Sequence, residues 1–224
     1  MNQHISEQFD AELSQIRDRF MEMGGLVESN LRDAVQALLS LDASEAQRVR
    51  DLDRRINQLE VEIGELCVHI IALRQPAASD LRTVVSIMRA CGDIERIGDE
   101  TGRIAKMTQA LADLPMLPDQ YQDFRNMASI TQSIVAQSLD AFARNDVDLA
   151  SAAIDADKPI NEAYRALVKE RTGQMHADSA AIDQCMNIIW AARSLERIGD
   201  HAKNISESLV FLVKGDDVRH SRKK

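Results

Sequence analysis

The sequence contains one helical phrase twice: "IERIGDE" at 94–100 and "LERIGDH" at 195–201. The residues Glu-Arg-Ile-Gly-Asp are identical in the two stretches, although glycine is a poor helix former. Apolar residues recur three or four positions apart around each phrase, which predicts long amphipathic helices. A second pair of stretches, "DLDRRIN" at 51–57 and "DADKPIN" at 155–161, is also alike. The two motifs follow one another in the same order both times, so the sequence predicts a chain of two similar halves.

The apolar periodicity and the scarcity of turn residues predict an all-α fold. Aromatic residues make up only 4% of the 224 positions, with 9 glycines and 4 prolines, which favours long helices over sheet. We predict two tandem three-helix bundles related by internal duplication, with six long antiparallel helices at roughly 6–40, 44–73, 77–110, 119–144, 147–174 and 179–214. The predicted units, 1–113 and 114–224, join in a stretch that contains Pro115 and Pro118. Pro159 lies inside the fifth helix, which is therefore expected to kink or to begin late.

Charge and hydropathy exclude several classes of protein. The net charge of −9 disfavours non-specific binding to nucleic acid or to an anionic membrane. No apolar run approaches the roughly 18 residues of a membrane span, and the polar N-terminus does not resemble a signal peptide. We therefore expect a cytoplasmic protein that does not insert into a membrane. Cys67, Cys91 and Cys185 form no CxxC pair and are expected to be buried apolar residues.

The repeated polar residues fall on predictable faces of their helices. When Leu195 and Ile198 are placed on the packing seam, Glu196 and Asp200 project side by side, four residues apart, away from the core. Glu95 and Asp99 do the same in the first half. The second helix of each half contributes a polar strip beside its seam. The two resulting surfaces are Asp53, Asn57, Glu60, Glu95 and Asp99 in the first half, and Asp157, Asn161, Glu196, Asp200 and Asn204 in the second.

Such surfaces suit hard cations. Carboxylates without His or Cys favour Mg, Ca, Mn or Fe, and a cation offsets the repulsion between like charges four residues apart. Gly98 and Gly199 could make room for an ion or for a neighbouring helix. The alternative is two solvated helix faces, in which Arg96 and Glu100 form an ordinary ion pair. His201 could reach an ion at the second surface.

Catalytic signatures are absent from the sequence. It contains no Glu-x-x-His pair of the ferritin-like di-iron proteins, no phosphate-binding P-loop and no G-x-S-x-G nucleophile motif. We therefore expect that the protein is not an enzyme. A carboxylate-bridged metalloenzyme stays as an alternative.

The motifs "DIERIGDE" at 93–100 and "SLERIGDHAKNISE" at 194–207, each in the last helix of a three-helix repeat, resemble the PhoU family. The resemblance covers almost the whole chain. It implies a cytoplasmic, non-enzymatic negative regulator of the phosphate-starvation response and of phosphate uptake, which connects the ATPase of a phosphate ABC transporter to a sensor histidine kinase at the inner membrane. It also implies multinuclear metal clusters, of Mn, Mg, Zn or Fe, on the E/D-x-x-x-D motifs, here Glu95 with Asp99 and Glu196 with Asp200.

The two halves also differ. Asn204 follows the second motif, whereas Arg103 stands at the matching place in the first half, where its guanidinium would compete for Glu95 and Asp99. Tyr164 stands where the first half has Glu60. We therefore expect the two metal sites to differ in affinity or nuclearity, with the second better supplied by its last helix. Two similar halves also suit a two-fold homodimer. The alternative function is a helical dimerisation module whose acidic faces bind proteins without metal.

Overall fold

The computed structural model of the chain describes residues 2–114 and 121–219, and within these ranges the side chains of all but residues 2–6 and 157. The described residues form seven α-helices and one short 3-10 turn, joined by short connections. The α-helices are α1 Asn2–Ser40, α2 Ala43–Arg74, α3 Ala78–Ala112, α4 Gln122–Arg144, α5 Val147–Asp155, α6 Asp157–Ala177 and α7 Ile182–Lys214, and the 3-10 turn is Ser179–Ala181. The all-α prediction is confirmed, and the bounds lie within a few residues of those predicted.

Local chemistry explains where the helices begin and end. Asp42 caps α2 by accepting hydrogen bonds from the backbone N–H groups of Ser44 and Glu45, and Asp146 caps α5 in the same way. Asn145 and Gly215 follow α4 and α7 with left-handed backbone conformations, which suit a helix C-terminus. These caps satisfy backbone groups that the helix ends leave unpaired.

The predicted interruption of the fifth helix is confirmed. The chain leaves the α-helix at Ala156, which separates α5 from α6, and Pro159 occupies the first turn of α6. A proline there needs no backbone N–H bond, but in a continuous helix its ring would collide with the carbonyl of residue 155. The predicted boundary at 113/114 stays a prediction, because Pro115 and Pro118 lie outside the described residues.

One hydrophobic core runs through both three-helix units. Apolar residues three or four positions apart are buried on α1 from Ile16 to Leu38 and on α7 from Ile188 to Leu209, whereas the apolar Leu73 at the end of α2 is exposed. Cys67, Cys91 and Cys185 are buried free thiols, as expected. The most extensive helix–helix interface joins α3 to α7, so the two halves meet through the helices that carry the repeated motif.

Candidate functional site

The repeated glycines allow the second and third helices of each half to approach closely. A Cβ atom on Gly98 would lie 3.3 Å from Ile56 Cγ2 and 3.0 Å from Asp53 Oδ1. A Cβ atom on Gly199 would lie only 2.5 Å from Ile160 Cδ1. Ile56 and Ile160 are the matching isoleucines of the second repeated motif. Of the two roles predicted for the glycines, the structure therefore supports room for a neighbouring helix.

This close packing brings the predicted residues of the first half together. We call them the first acidic cluster: Asp53, Asn57 and Glu60 on α2, with Glu95 and Asp99 on α3. Asp99 is exposed and the other four are partly buried. Asn57 Nδ2 lies 3.5 Å from Asp53 Oδ2, while Asp53 Oδ1 and Asn57 Oδ1 are buried without a hydrogen-bond partner. Two oxygen atoms of this cluster are thus left unsatisfied inside the protein.

Burial and mutual repulsion both raise the pKa values of Asp53 and Glu95 in this cluster. Burial raises the pKa of Asp53, and the charge of Asp99 raises it further. Burial also raises the pKa of Glu95, and Asp99 and Glu60 add to the effect, against a smaller opposing effect of Arg96. Arg55 pairs with Glu22 and Glu62, and Arg96 pairs with Asp93, so the ion pairs of these two arginines lie outside the cluster.

The donor set of the first acidic cluster fits a hard cation. It offers carboxylate and amide oxygens, and a cation would give a partner to the two unsatisfied oxygens, Asp53 Oδ1 and Asn57 Oδ1. Among the described residues, no three His, Cys, Asp or Glu side chains are grouped so that they could hold an ion as they stand. Binding therefore requires side chains such as the exposed Asp99 to turn towards α2.

The matching surface of the second half is arranged differently. We call Asp157, Asn161, Glu196 and Asp200 the second acidic cluster; the side chain of Asp157 lies outside the described residues. Asp200 is exposed as predicted, but the prediction that Glu196 faces away from the core is wrong, because this residue is only 7% exposed. Arg193 Nη1 donates a hydrogen bond to Glu196 Oε1 over 2.7 Å.

Tyr164 lies beside this ion pair. It occupies the place that Glu60 has in the first half, and the Arg193 guanidinium lies 5.7 Å from the centre of its ring. That distance is within the range of a cation–π contact. The second cluster therefore contains a bound positive charge from the chain itself.

Asn204 does not belong to the second acidic cluster, which corrects the sequence prediction. Its amide Nδ2 donates a hydrogen bond to Asp93 Oδ1 over 3.0 Å, across the interface between α7 and α3. His201 also turns to this carboxylate, with Nδ1 at 2.9 Å from the same oxygen. Helix α7 packs against α3, so the polar residues His201 and Asn204 of α7 contact α3 rather than α6.

Glu100 is the centre of a second group of contacts across the same interface. Ser194 Oγ donates to Glu100 Oε2 over 2.9 Å, and Arg197 Nη1 donates to Glu100 Oε1 over 2.8 Å. Arg103 Nη1 donates to Glu100 Oε1 over 2.6 Å. The expected Arg96–Glu100 pair and the expected competition of Arg103 for Glu95 and Asp99 are therefore both wrong.

The α3–α7 interface was not predicted from the sequence, although matching positions of the repeated phrase indicate it. At the offset of the repeated phrase, Asp93 matches Ser194 and Glu100 matches His201. The structure joins Asp93 to His201 and Ser194 to Glu100. The two contacts are thus related by an internal two-fold axis, with α3 and α7 antiparallel.

A groove of about 1490 Å³ lies beside this interface, between α3, α5 and α7. Its walls carry charges of both signs, among them Arg89, Asp155, Lys203 and Glu207. These residues come from three helices that are distant in sequence, so no local motif predicted the groove.

Comparison with known proteins identifies the family. The family model described as the PhoU domain matches this chain twice, at residues 20–108 and 124–209. The chain belongs to the PhoU family. The two PhoU-domain matches fall within α1–α3 and α4–α7, so each covers one of the two halves found in the repeat.

Individual PhoU proteins are similar over nearly the whole chain. The phosphate-specific transport system accessory protein PhoU homolog of Pseudomonas aeruginosa is 48% identical over 220 residues, which cover 98% of this chain and 91% of that protein. The accessory protein PhoU of Escherichia coli K12 is 40% identical over 224 residues, with coverages of 98% and 91%.

Solved PhoU structures share the fold. The crystal structure of PhoU from Pseudomonas aeruginosa matches with a TM-score of 0.90 at 47% identity, over 93% of this chain and 100% of that one. The phosphate transport system regulatory protein PhoU from Streptococcus pneumoniae matches with a TM-score of 0.85 at 34% identity, over 93% and 98%. As in the sequence prediction, none of the helices in the described ranges is long and apolar enough to cross a membrane.

Proposed function

We propose that this protein is an accessory protein of a phosphate-specific transport system, and that it represses the phosphate-starvation response and phosphate uptake when phosphate is plentiful. The observation that carries the proposal is the likeness, over 98% of the chain, to proteins named as accessories of phosphate-specific transport. In this role the protein is a cytoplasmic, non-enzymatic adaptor. It links the transporter ATPase to a sensor histidine kinase, and it works at the inner membrane through these partners.

A metal ion on the first acidic cluster is part of the proposal. Asp53, Asn57, Glu60, Glu95 and Asp99 would hold Mn, Mg, Zn or Fe, in one or several ions. The buried oxygens of Asp53 and Asn57 support this role, as do the raised pKa values of Asp53 and Glu95. A bound cation would neutralise repulsion that the protein alone leaves uncompensated, and would fix the register of α2 against α3.

The regulatory role can be tested by deletion and complementation. In phosphate-rich medium, a deletion strain should express a phosphate-starvation reporter and take up more phosphate, and the wild-type gene should restore repression. Unchanged reporter expression and uptake in the deletion strain would contradict the proposal. A pull-down from phosphate-replete cells should recover the transporter ATPase or the sensor kinase.

Metal binding requires its own experiment. The variant Glu95→Gln/Asp99→Asn removes two carboxylate charges and keeps the size of both side chains. Metal analysis after purification without chelator should find less metal in this variant than in the wild type, and equal contents would reject the first acidic cluster as the site.

The alternative function is a dimerisation module whose acidic faces bind protein partners directly. The exposed carboxylates of Asp99 and Asp200 keep this alternative open. It requires that partner recovery in the pull-down be the same with and without a chelator, whereas the metal-binding adaptor should lose its partners when metal is removed. Size-exclusion chromatography with light scattering would test the proposed homodimer in the same preparations.

A further inference from the structure

The two acidic clusters differ most at one position. Arg193, three residues before Glu196, matches Gly92, three residues before Glu95. A Cβ atom on Gly92 would meet nothing within 4 Å, so the first half has open space at this position. The second half fills it with a guanidinium. The difference is therefore a charged side chain on one cluster and none on the other.

Arg193 is held in place by two contacts. Its Nη1 lies 2.7 Å from Oε1 of Glu196, a carboxylate that is 9% exposed, and its guanidinium lies against the ring of Tyr164. In the first half Tyr164 is replaced by Glu60, which would repel Glu95 rather than support a cation of the chain. The exchanges Gly92 to Arg193 and Glu60 to Tyr164 thus act in the same direction, because the first adds a positive charge and the second removes a negative one.

We infer that Arg193 takes the place of a metal ion in the second acidic cluster, so that this chain binds metal at the first cluster alone. An arginine keeps its charge at any physiological pH and forms strong hydrogen bonds with carboxylates. A metal at the second cluster would have to displace it from a buried glutamate. Metal binding at the first cluster rests on the proposed function, whereas the role of Arg193 in the second cluster is tested independently of it by a gain of binding.

The two halves therefore differ in how the negative charge of their acidic clusters is offset. In the second half, Arg193 permanently offsets the charge of Glu196. In the first half only a bound metal ion would supply the offsetting charge, so only α1–α3 would respond to the supply of metal. This reverses the sequence expectation that the second half offers the better site on its last helix.

Binding of Mn²⁺ to the full-length protein tests the inference, with the free ion measured by electron paramagnetic resonance. Glu95→Gln/Asp99→Asn should weaken binding by at least about tenfold, as the loss of ligand groups does at metal sites. The matched variant Glu196→Gln/Asp200→Asn should leave binding within about twofold of the wild type. If the second variant loses Mn²⁺ binding and the first retains it, the inference is overturned.

A gain of binding provides the converse test. Arg193→Ala/Tyr164→Glu removes the internal cation and restores the carboxylate of the first half. This variant should bind additional Mn²⁺, and the additional binding should persist when Glu95→Gln/Asp99→Asn is combined with it. Arg193→Lys keeps the positive charge and should bind no more than the wild type.

The two proposals fail in different ways. If the wild type binds no Mn²⁺, the metal role of the first cluster fails, while additional binding by Arg193→Ala/Tyr164→Glu still supports the role of Arg193 in the second cluster. If this variant is folded by circular dichroism and gains nothing, the inference is wrong. If it does not fold, the comparison of the two charge-neutralising variants decides.

Discussion

The substitution Gly199→Ala tests whether the repeated glycine is needed for close contact between neighbouring helices. Alanine should stabilise a helix by about 0.5–1 kcal/mol relative to glycine. Here, however, the new methyl group would lie 2.5 Å from Cδ1 of Ile160, a side chain with no exposed surface. Over-packing of a core costs about 1–3 kcal/mol. The net expectation for Gly199→Ala is a loss of about 1 kcal/mol in the free energy of unfolding.

Ile160→Val removes the atom that collides, so it makes the prediction specific. Alone it should cost about 0.5–1.5 kcal/mol through the lost methyl group. In its presence Gly199→Ala should regain the helix-propensity benefit, which leaves the double variant within about 1 kcal/mol of the wild type and gives a coupling of about 1.5–2 kcal/mol. Equilibrium urea unfolding at constant m-value measures all three variants.

Gly102→Ala is the control for helix propensity. Gly102 lies near the middle of α3, three residues after Asp99, and a Cβ atom there meets nothing within 4 Å. This substitution should stabilise the protein by about 0.5–1 kcal/mol. If Gly199→Ala stabilises as much as Gly102→Ala, or if Ile160→Val fails to rescue it, then close helix packing does not explain the repeated glycine.

Three further predictions concern the acidic clusters. Protonation of Asp53 and Glu95 favours the folded state, because the pKa values of both residues are raised there. This contribution to the free energy of unfolding is lost as pH rises above their ordinary pKa values of 3.8 and 4.5. In metal-free protein, Glu95→Gln should therefore raise the free energy of unfolding by about 0.5 kcal/mol at pH 7.5 and by less at pH 4.5. Urea unfolding at both pH values measures this difference. A stabilisation that becomes smaller as pH rises would contradict the prediction. Arg193→Met should lower the free energy of unfolding by about 1–2 kcal/mol, because it removes a charged hydrogen bond from the buried Glu196. Arg193→Lys should lower it by less. Equal urea midpoints for Arg193→Met and the wild type would show that the Arg193–Glu196 pair does not stabilise the fold. Mn²⁺ at about 100 times its dissociation constant should add about 2.7 kcal/mol to the free energy of unfolding. Thermal melts should show this shift in the wild type and not in Glu95→Gln/Asp99→Asn.

The sequence predicted the features of the fold that depend on local periodicity. The packing seam of α7 follows from apolar spacing, and the break before α6 follows from Pro159. These effects act within a few residues along the chain. Leu73 shows the limit of this reasoning, because its position in the pattern is apolar but its side chain is exposed near the end of α2.

The first acidic cluster was predictable because its residues come from two adjacent helices with a repeated motif. The surroundings of Glu196 were not, because they depend on Arg193 and Tyr164, residues outside the shared motif. The contacts of Asn204 and Glu100 depend on which helix of the other half lies opposite. A heptad pattern shows which side of a helix faces inward, but it does not identify the neighbour.

The interface between α3 and α7 also determines which half can pair with which. If two copies of the first half met through this crossing, Asp93 of each would face Glu100 of the other, and two pairs of like charges would oppose association. Two copies of the second half would place Ser194 against His201, without repulsion. In the intact chain each acid instead meets a residue of the second half that carries no negative charge, His201 for Asp93 and Ser194 for Glu100. The α3–α7 interface therefore favours pairing of the first half with the second half. Because the two halves are joined in one chain, each is present at a high local concentration near the other.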